Sequence, residues 1–257
     1  MTPSKTIKHL SFLCFALVFA SCAKDDGFQD RFDSKMVLEA SLEVGAPISD
    51  FYAHQLLGNA SSSAIEGLEI EVVSNEGSIF LTESAENKGY YNGPEKALIL
   101  PETTYSLSTS YKGHTISSEA VTPPSMEILE SSKDFLDADI HADLLFLEWS
   151  GVNTGSFNEY FYVIELIPEE DSPEEIIRTS GEEFKSRVLS YTSEVTLSID
   201  DFNYYGNHLI RVHAINKVFK SMFQPQSSAN QDGPSNIMGG YGYFISSSVV
   251  ETHLEIR

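Results

Sequence analysis

Four residues within Asp137-Ala138-Asp139-Ile140-His141-Ala142-Asp143 are of types that hold a divalent cation. On a β-strand successive side chains alternate faces, so Asp137, Asp139, His141 and Asp143 would all project from one side. Three carboxylates and an imidazole suit calcium or manganese, which take hard oxygen donors. Neighbours two apart on one face, however, stand roughly 6–7 Å from each other. Only two or three of the four reach a single ion unless the strand bulges, and no D-x-D-x-D-G calcium loop accompanies them. The expectation is the wet face of a strand whose other face, Ile140, Ala142 and Leu144, points inward. No metal is assigned, and these four residues are the candidate set.

Other patterns carry less. Gly239-Gly240-Tyr241-Gly242 resembles part of a phosphate-cradling loop, but Ile245 stands where the dinucleotide fingerprint needs a third glycine, and a strand follows instead of a helix. The glycines are expected to let the backbone bend where Tyr241, Tyr243 and Phe244 pack. The sequence has neither a G-x-S-x-G elbow nor an H-E-x-x-H helix. Tyr90-Tyr91, Tyr160-Phe161-Tyr162 and Tyr204-Tyr205 offer rings for carbohydrate, yet each adjacent pair on a strand points one ring inward. Trp149, the only tryptophan, sits in an alternating strand and is expected in the core. The expectation is a non-enzymatic protein with no catalytic residues and no cofactor.

The clearest chemistry belongs to Cys22. A basic stretch with Lys5 and Lys8 precedes an apolar run, Leu10 to Phe19, which ends in Phe19-Ala20-Ser21-Cys22. The run is about ten residues, too short to span a bilayer, which takes roughly 20. Small residues before a cysteine admit a signal peptidase; the thiol accepts diacylglycerol, and the amino terminus freed by cleavage takes an acyl chain. Residues 1–21 thus read as a signal peptide and Cys22 as the lipidation site. Lys24, Asp25 and Asp26 directly behind it resemble the surface-export signal of Bacteroidota lipoproteins, which implies an outer-membrane anchor facing the cell exterior. Cys14 lies in the removed segment, so the mature chain has no internal disulfide and must rely on buried apolar surface.

The mature chain of 236 residues is long enough for two domains. The full chain carries a net charge of −22, and loss of Lys5 and Lys8 with the signal leaves −24. Such a charge excludes nucleic acid and anionic lipid surfaces as partners. The anchor itself remains a contact with membrane.

Residues 22–35 are polar, without periodicity, and read as a tether. After them the pattern is β almost throughout. Leu38 to Val44 and Leu68 to Val73 alternate with period two, and Asn75-Glu76-Gly77 turns the latter into Ser78 to Leu81. Tyr105 to Tyr111 pairs with His114 to Val121 across Lys112-Gly113, and Pro123-Pro124 ends that ladder. Leu144 to Trp149, Tyr160 to Ile167, Glu194 to Ile199 and Leu209 to Ile215 are the strands of the second half. Pro168 to Glu175 reads as a solvated acidic turn, and residues 176–190 as either a short helix or an edge strand. Strands at this spacing predict an all-β chain of two β-sandwich, immunoglobulin-like domains, residues 36–122 and 123–257.

Several residues carry resemblances. Gly67 to Val72, then Lys88-Gly89-Tyr90-Tyr91, then Pro101 to Leu107 resemble the transthyretin and carboxypeptidase-regulatory sandwich. Leu145 to Trp149 and Ile210 to Asn216 resemble the core strands of a fibronectin type III module, with His208 where that family carries a corner tyrosine. The whole, from the lipobox to the tail Ser235-Asn236-Ile237-Met238-Gly239-Gly240-Tyr241-Gly242-Tyr243-Phe244, resembles the Bacteroidota lipoprotein family catalogued as domain of unknown function 4249. That resemblance implies an accessory ligand-binding or capping partner of a TonB-dependent outer-membrane barrel; a stand-alone surface adhesin is the alternative.

Replacing the lipidated thiol tests the anchor directly. Cys22→Ala is expected to abolish acylation and move the protein out of the membrane fraction, checked by metabolic lipid labelling and fractionation; unchanged membrane retention would contradict it.

Overall fold

The computed structural model describes residues 36–57, 61–140, 143–151, 160–177, 187–223 and 235–257. Residues 1–35, with the expected signal peptide, lipidation site Cys22 and the tether holding Lys24, Asp25 and Asp26, lie outside the described residues, as does His141. The described chain is almost entirely β, in two sandwiches.

The first sandwich is built from β1 (Met36–Glu43), β2 (Phe51–Leu57), β3 (Ser61–Ala64), β4 (Ile70–Ser74), β5 (Gly77–Glu83), β6 (Tyr90–Asn92), β7 (Thr104–Tyr111) and β8 (His114–Val121). They run in the order β1-β2-β6-β5-β4-β7-β8, with β3 paired to β2. In β7, Tyr105, Leu107 and Thr109 are buried while Thr104, Ser106, Ser108 and Ser110 face solvent, as period two requires. The hairpin to β8 turns at Lys112 and Gly113, with φ of 49° and 81°. Two positive φ values match the right-handed twist of the strands. The inward residues Leu38, Leu42, Phe51, Val72, Tyr91, Tyr105 and Leu107 form one core.

The second sandwich contains β9 (Ile128–Ser131), β10 (Phe135–Leu136), β11 (Leu144–Trp149), β12 (Tyr160–Pro168), β13 (Arg187–Ser190), β14 (Glu194–Ser198), β15 (Gly206–Asn216) and β16 (Tyr241–Ile256). The sheet β13-β12-β15-β16 faces the smaller sheet β14-β11-β9. Residues 187–190 thus form an edge strand. Trp149 is fully buried between the sheets, edge-on to Tyr162 at 5.1 Å between ring centres. On the other face of the larger sheet a short helix, Lys220–Phe223, lies over Phe161, Val163 and Ile245. That is why Tyr160 to Ile164 of β12 are buried on both faces.

The two units share a strand. β16 is 16 residues long. Its first half pairs parallel with β1, from Val37 opposite Tyr241 to Glu43 opposite Ser247, while Ser247 to Ile256 pairs antiparallel with β15. Phe244 and Ile237 belong to the first core, Leu254 and Ile256 to the second. The boundary at Pro123-Pro124 therefore does not divide the chain into two independent stretches: residues 235–247, expected with the second domain, complete the first. Asn236 fixes this return. Its Oδ1 accepts from Phe244 N at 2.8 Å, and its Nδ2 donates to Phe244 O at 2.7 Å and Glu119 O at 3.2 Å.

The glycines of the tail serve that junction. A Cβ on Gly242 would lie 1.9 Å from Leu38 O, and the residue holds φ +100°. A side chain there meets backbone and strain together. Gly242→Ala is expected to cost roughly 3 kcal/mol, read as a shifted urea midpoint. Gly77→Ala, at φ +130° with open space around it, tests conformational strain alone and should cost about 1 kcal/mol.

Candidate functional site

The aspartate cluster takes a form unlike the expected strand. β10 ends at Leu136 and residues 138–140 form a turn. Asp139 N donates to Asp137 Oδ1 at 3.0 Å, and Ile140 N to Asp137 O at 3.1 Å. Asp143 is buried; it accepts from Asp137 N at 3.0 Å and from Lys133 Nζ. Aspartate side chains that bond nearby N–H groups compete with the extended ladder, and here they win. Ile140, expected inward, is exposed. The Asp137 and Asp143 carboxylates thus brace a loop, to which Asp139 contributes its backbone N–H. Among the described residues no three histidine, cysteine or acidic side chains are grouped to hold a metal.

The structure assembles a different site on the outer face of the long sheet, where six strands from both units, in the order β6-β2-β1-β16-β15-β12, lie side by side. Each contributes the residues that alternate away from the cores. On β2 and β6 these are Tyr52, His54 and Tyr90. Tyr52 stacks on His54 at 4.7 Å and on Tyr90 at 4.6 Å between ring centres. Tyr91 points the other way into the core, donating to Ile65 O at 2.8 Å and accepting from Leu68 N at 3.0 Å. Across the junction, Glu39 of β1 lies opposite Tyr243 of β16, and Ser41 opposite Ile245.

Two adjoining cavities open on this face. The first, about 410 Å³, is walled by Tyr52, Tyr90 and Tyr243 with the carboxylates of Glu39, Glu43 and Asp50. The second, about 300 Å³, lies under Met222 and Phe223 of the short helix and against Val163, Ile215 and Ile245. Ser41 and Tyr243 line both. One end of the groove is therefore acidic and the other mainly apolar, with the Glu165 and His213 pair on its wall.

The charges around the groove are largely paired within the fold. Arg211 Nη2 lies 3.3 Å from Glu43 Oε2, and its Nε lies 2.8 Å from Glu251 Oε1, an ion pair without hydrogen-bond alignment. His213 Nε2 stands 3.2 Å from Glu165 Oε2. That hydrogen bond holds the Glu165 carboxyl below its ordinary range against an opposing effect of burial. Glu39 and Asp50 are the exceptions, with no lysine or arginine paired to either among the described residues; for Glu39 a histidine stands nearby. The His54 Nε2 lies 4.0 Å from Glu39 Oε1, and burial lowers the His54 pKa despite the attraction of Glu39, keeping the ring neutral. Tyr243 is pushed up by burial and then by the field of Glu39.

Of the rings considered for carbohydrate, Tyr160 and Tyr162 are buried in the second core and Phe161 beneath the short helix, while Tyr90 alone of its pair faces the groove. The groove residues Glu39, Tyr52, His213 and Tyr243 are outward positions of alternating strands, a signal the sequence does contain. Their meeting depends on the parallel β1–β16 pairing, for which the sequence has no local sign.

No protein-family model matches the chain, and no curated protein matches it. Among solved structures it is similar to the Ig1+Ig2 fragment of DIP-gamma, with 10% identity over 87% of this chain and 97% of that one, at a TM-score of 0.22. A chimeric titin Z1Z2, functionalised with an exogenous peptide from decorin, shares 11% identity over 88% and 98%, at a TM-score of 0.21.

His208 is buried, with Nδ1 3.0 Å from Gly206 O and its ring edge-on to Phe202. Burial lowers its pKa, outweighing the Gly206 carbonyl. The unfolded imidazole, with an ordinary value of about 6.5, then takes up protons that the folded ring refuses. Stability is full above that value and falls as pH drops from about 7.5 toward the lowered folded value. The urea midpoint should decrease from pH 7.5 to 5.5, and His208→Gln should reduce that slope, leaving the share due to His54.

Proposed function

We propose that this chain is a non-enzymatic lipoprotein held on the outer membrane by acylated Cys22, facing outward, and serving as an accessory ligand-binding or capping partner of a TonB-dependent transporter. The observation that carries the reading is the two-unit outer face, with its ringed and acidic groove, on a chain whose lipidation motif lies just before the first strand. The titratable groups beside the groove are mostly committed to partners within the fold, as Arg211 is to Glu43 and Glu251 and His213 to Glu165, an arrangement suited to recognition.

The mechanism is confinement and docking. The tether of residues 22–35 spans up to about 45 Å when extended, so the groove can reach the mouth of a neighbouring barrel. Two proteins restricted to one membrane plane meet at a raised effective concentration, and a modest contact then suffices for association. Large loops and sheet edges would make the contact with the barrel.

Native lipoprotein, extracted in gentle detergent and captured, should bring down a TonB-dependent barrel in near-stoichiometric amount, identified by mass spectrometry. A surface-exposed protein that brings down no barrel would overturn the transporter role in favour of a stand-alone adhesin.

A further inference from the structure

We infer that the groove across β1 and β16 binds an amphipathic organic cation, an ammonium or guanidinium group joined to an apolar one, with the charge at Glu39 and the apolar part under Met222 and Phe223. The inference stands independently of the transporter partner.

Three observations carry it. First, the groove joins two chemistries through shared walls: carboxylates and tyrosine rings in the cavity of about 410 Å³, and Met222, Phe223 and Ile245 in that of about 300 Å³, with Ser41 and Tyr243 common to both. The combined space is of the size that small ligands fill. Second, Glu39 stands on the groove wall beside the Tyr52, Tyr90 and Tyr243 rings with its side chain 40% exposed, open to a cation that enters the groove. Glu43, by contrast, is engaged by Arg211. Third, among the described residues neither ring nitrogen of the buried His54 has a hydrogen-bond partner. Its Nε2 and Glu39 Oε1, 4.0 Å apart, are too far from each other for a hydrogen bond, so the Glu39 carboxylate keeps open acceptor sites. An ammonium or guanidinium group on Glu39 supplies the charge and the donors that those sites accept.

The apolar half explains why the ligand is amphipathic. Met222 is unbranched and adaptable, suited to a variable apolar partner, and Phe223 is already held edge-on against Phe161 at 5.7 Å. A wholly polar cation would leave this half wet and gain only an exposed ion pair, worth at most about 1 kcal/mol. Free amines and basic-apolar peptide segments both have the required chemistry, and the test separates them.

The lipoprotein, labelled with [methyl-13C]methionine and held in phosphatidylcholine nanodiscs at about 150 mM salt, would be titrated with tryptamine and separately with lysyl-phenylalanine amide. The expected result is a saturable shift of the Met222 methyl with little change at Met126 and Met238. Glu39→Gln should weaken binding at least about fivefold, and uncharged N-acetyltryptamine should lose as much on the unaltered protein. A response to tryptamine alone assigns the site to free amines, and a tighter response to the dipeptide assigns it to a peptide segment. Absence of a saturable Met222 shift with both probes, equal shifts at all the methionines, or undiminished binding of N-acetyltryptamine would overturn the inference.

Discussion

The parallel pairing of β1 with the first half of β16 is the interaction on which the rest of the molecule depends. It makes one sheet of what would otherwise be two, and it places Glu39 beside Tyr243 and Ser41 beside Ile245. Close approach of the strands requires a residue without a side chain where Gly242 faces the Leu38 carbonyl. It also requires a returning segment, which Asn236 supplies through three hydrogen bonds to Glu119 and Phe244. The two cores on either side are ordinary close-packed interiors. Their relation to each other is set by backbone pairing instead of by side-chain docking.

The same strand explains how an acidic chain keeps a defined surface. Most carboxylates face solvent, where they repel one another only weakly across the screening distance of salt. Where strands from both units crowd together, the acids are instead matched: Glu43 and Glu251 flank Arg211, and Glu165 meets His213. Such half-exposed pairs add little to stability. What they do is fix side-chain positions along the junction, while Glu39, like Asp50, stands beside the rings with no lysine or arginine partner among the described residues.

Much of the fold was legible in the sequence. Alternation in Leu38 to Val44 and Tyr105 to Tyr111, the Lys112-Gly113 turn and the buried Trp149 follow from local periodicity and turn chemistry. The tail glycines also behave as packing residues. Asp137 to Asp143 misled, because alternation of acid and apolar residues reads as a strand unless the local hydrogen bonding of aspartate is weighed against it. The groove was hidden for a different reason. Tyr52, Glu39 and His213 are visible as outward residues, but which strands bring them together is a question of non-local register, and β1 and β16 pair across about 200 residues of chain.

That separation has a consequence for how the protein is made. A chain emerging amino-terminus first presents β1 early, with one edge paired to β2 and the other open until the last residues arrive. Contacts so far apart in sequence close slowly, because the intervening chain must be ordered before they form. The first sandwich therefore cannot finish before the second is nearly complete, and an open edge of this kind invites pairing with other chains.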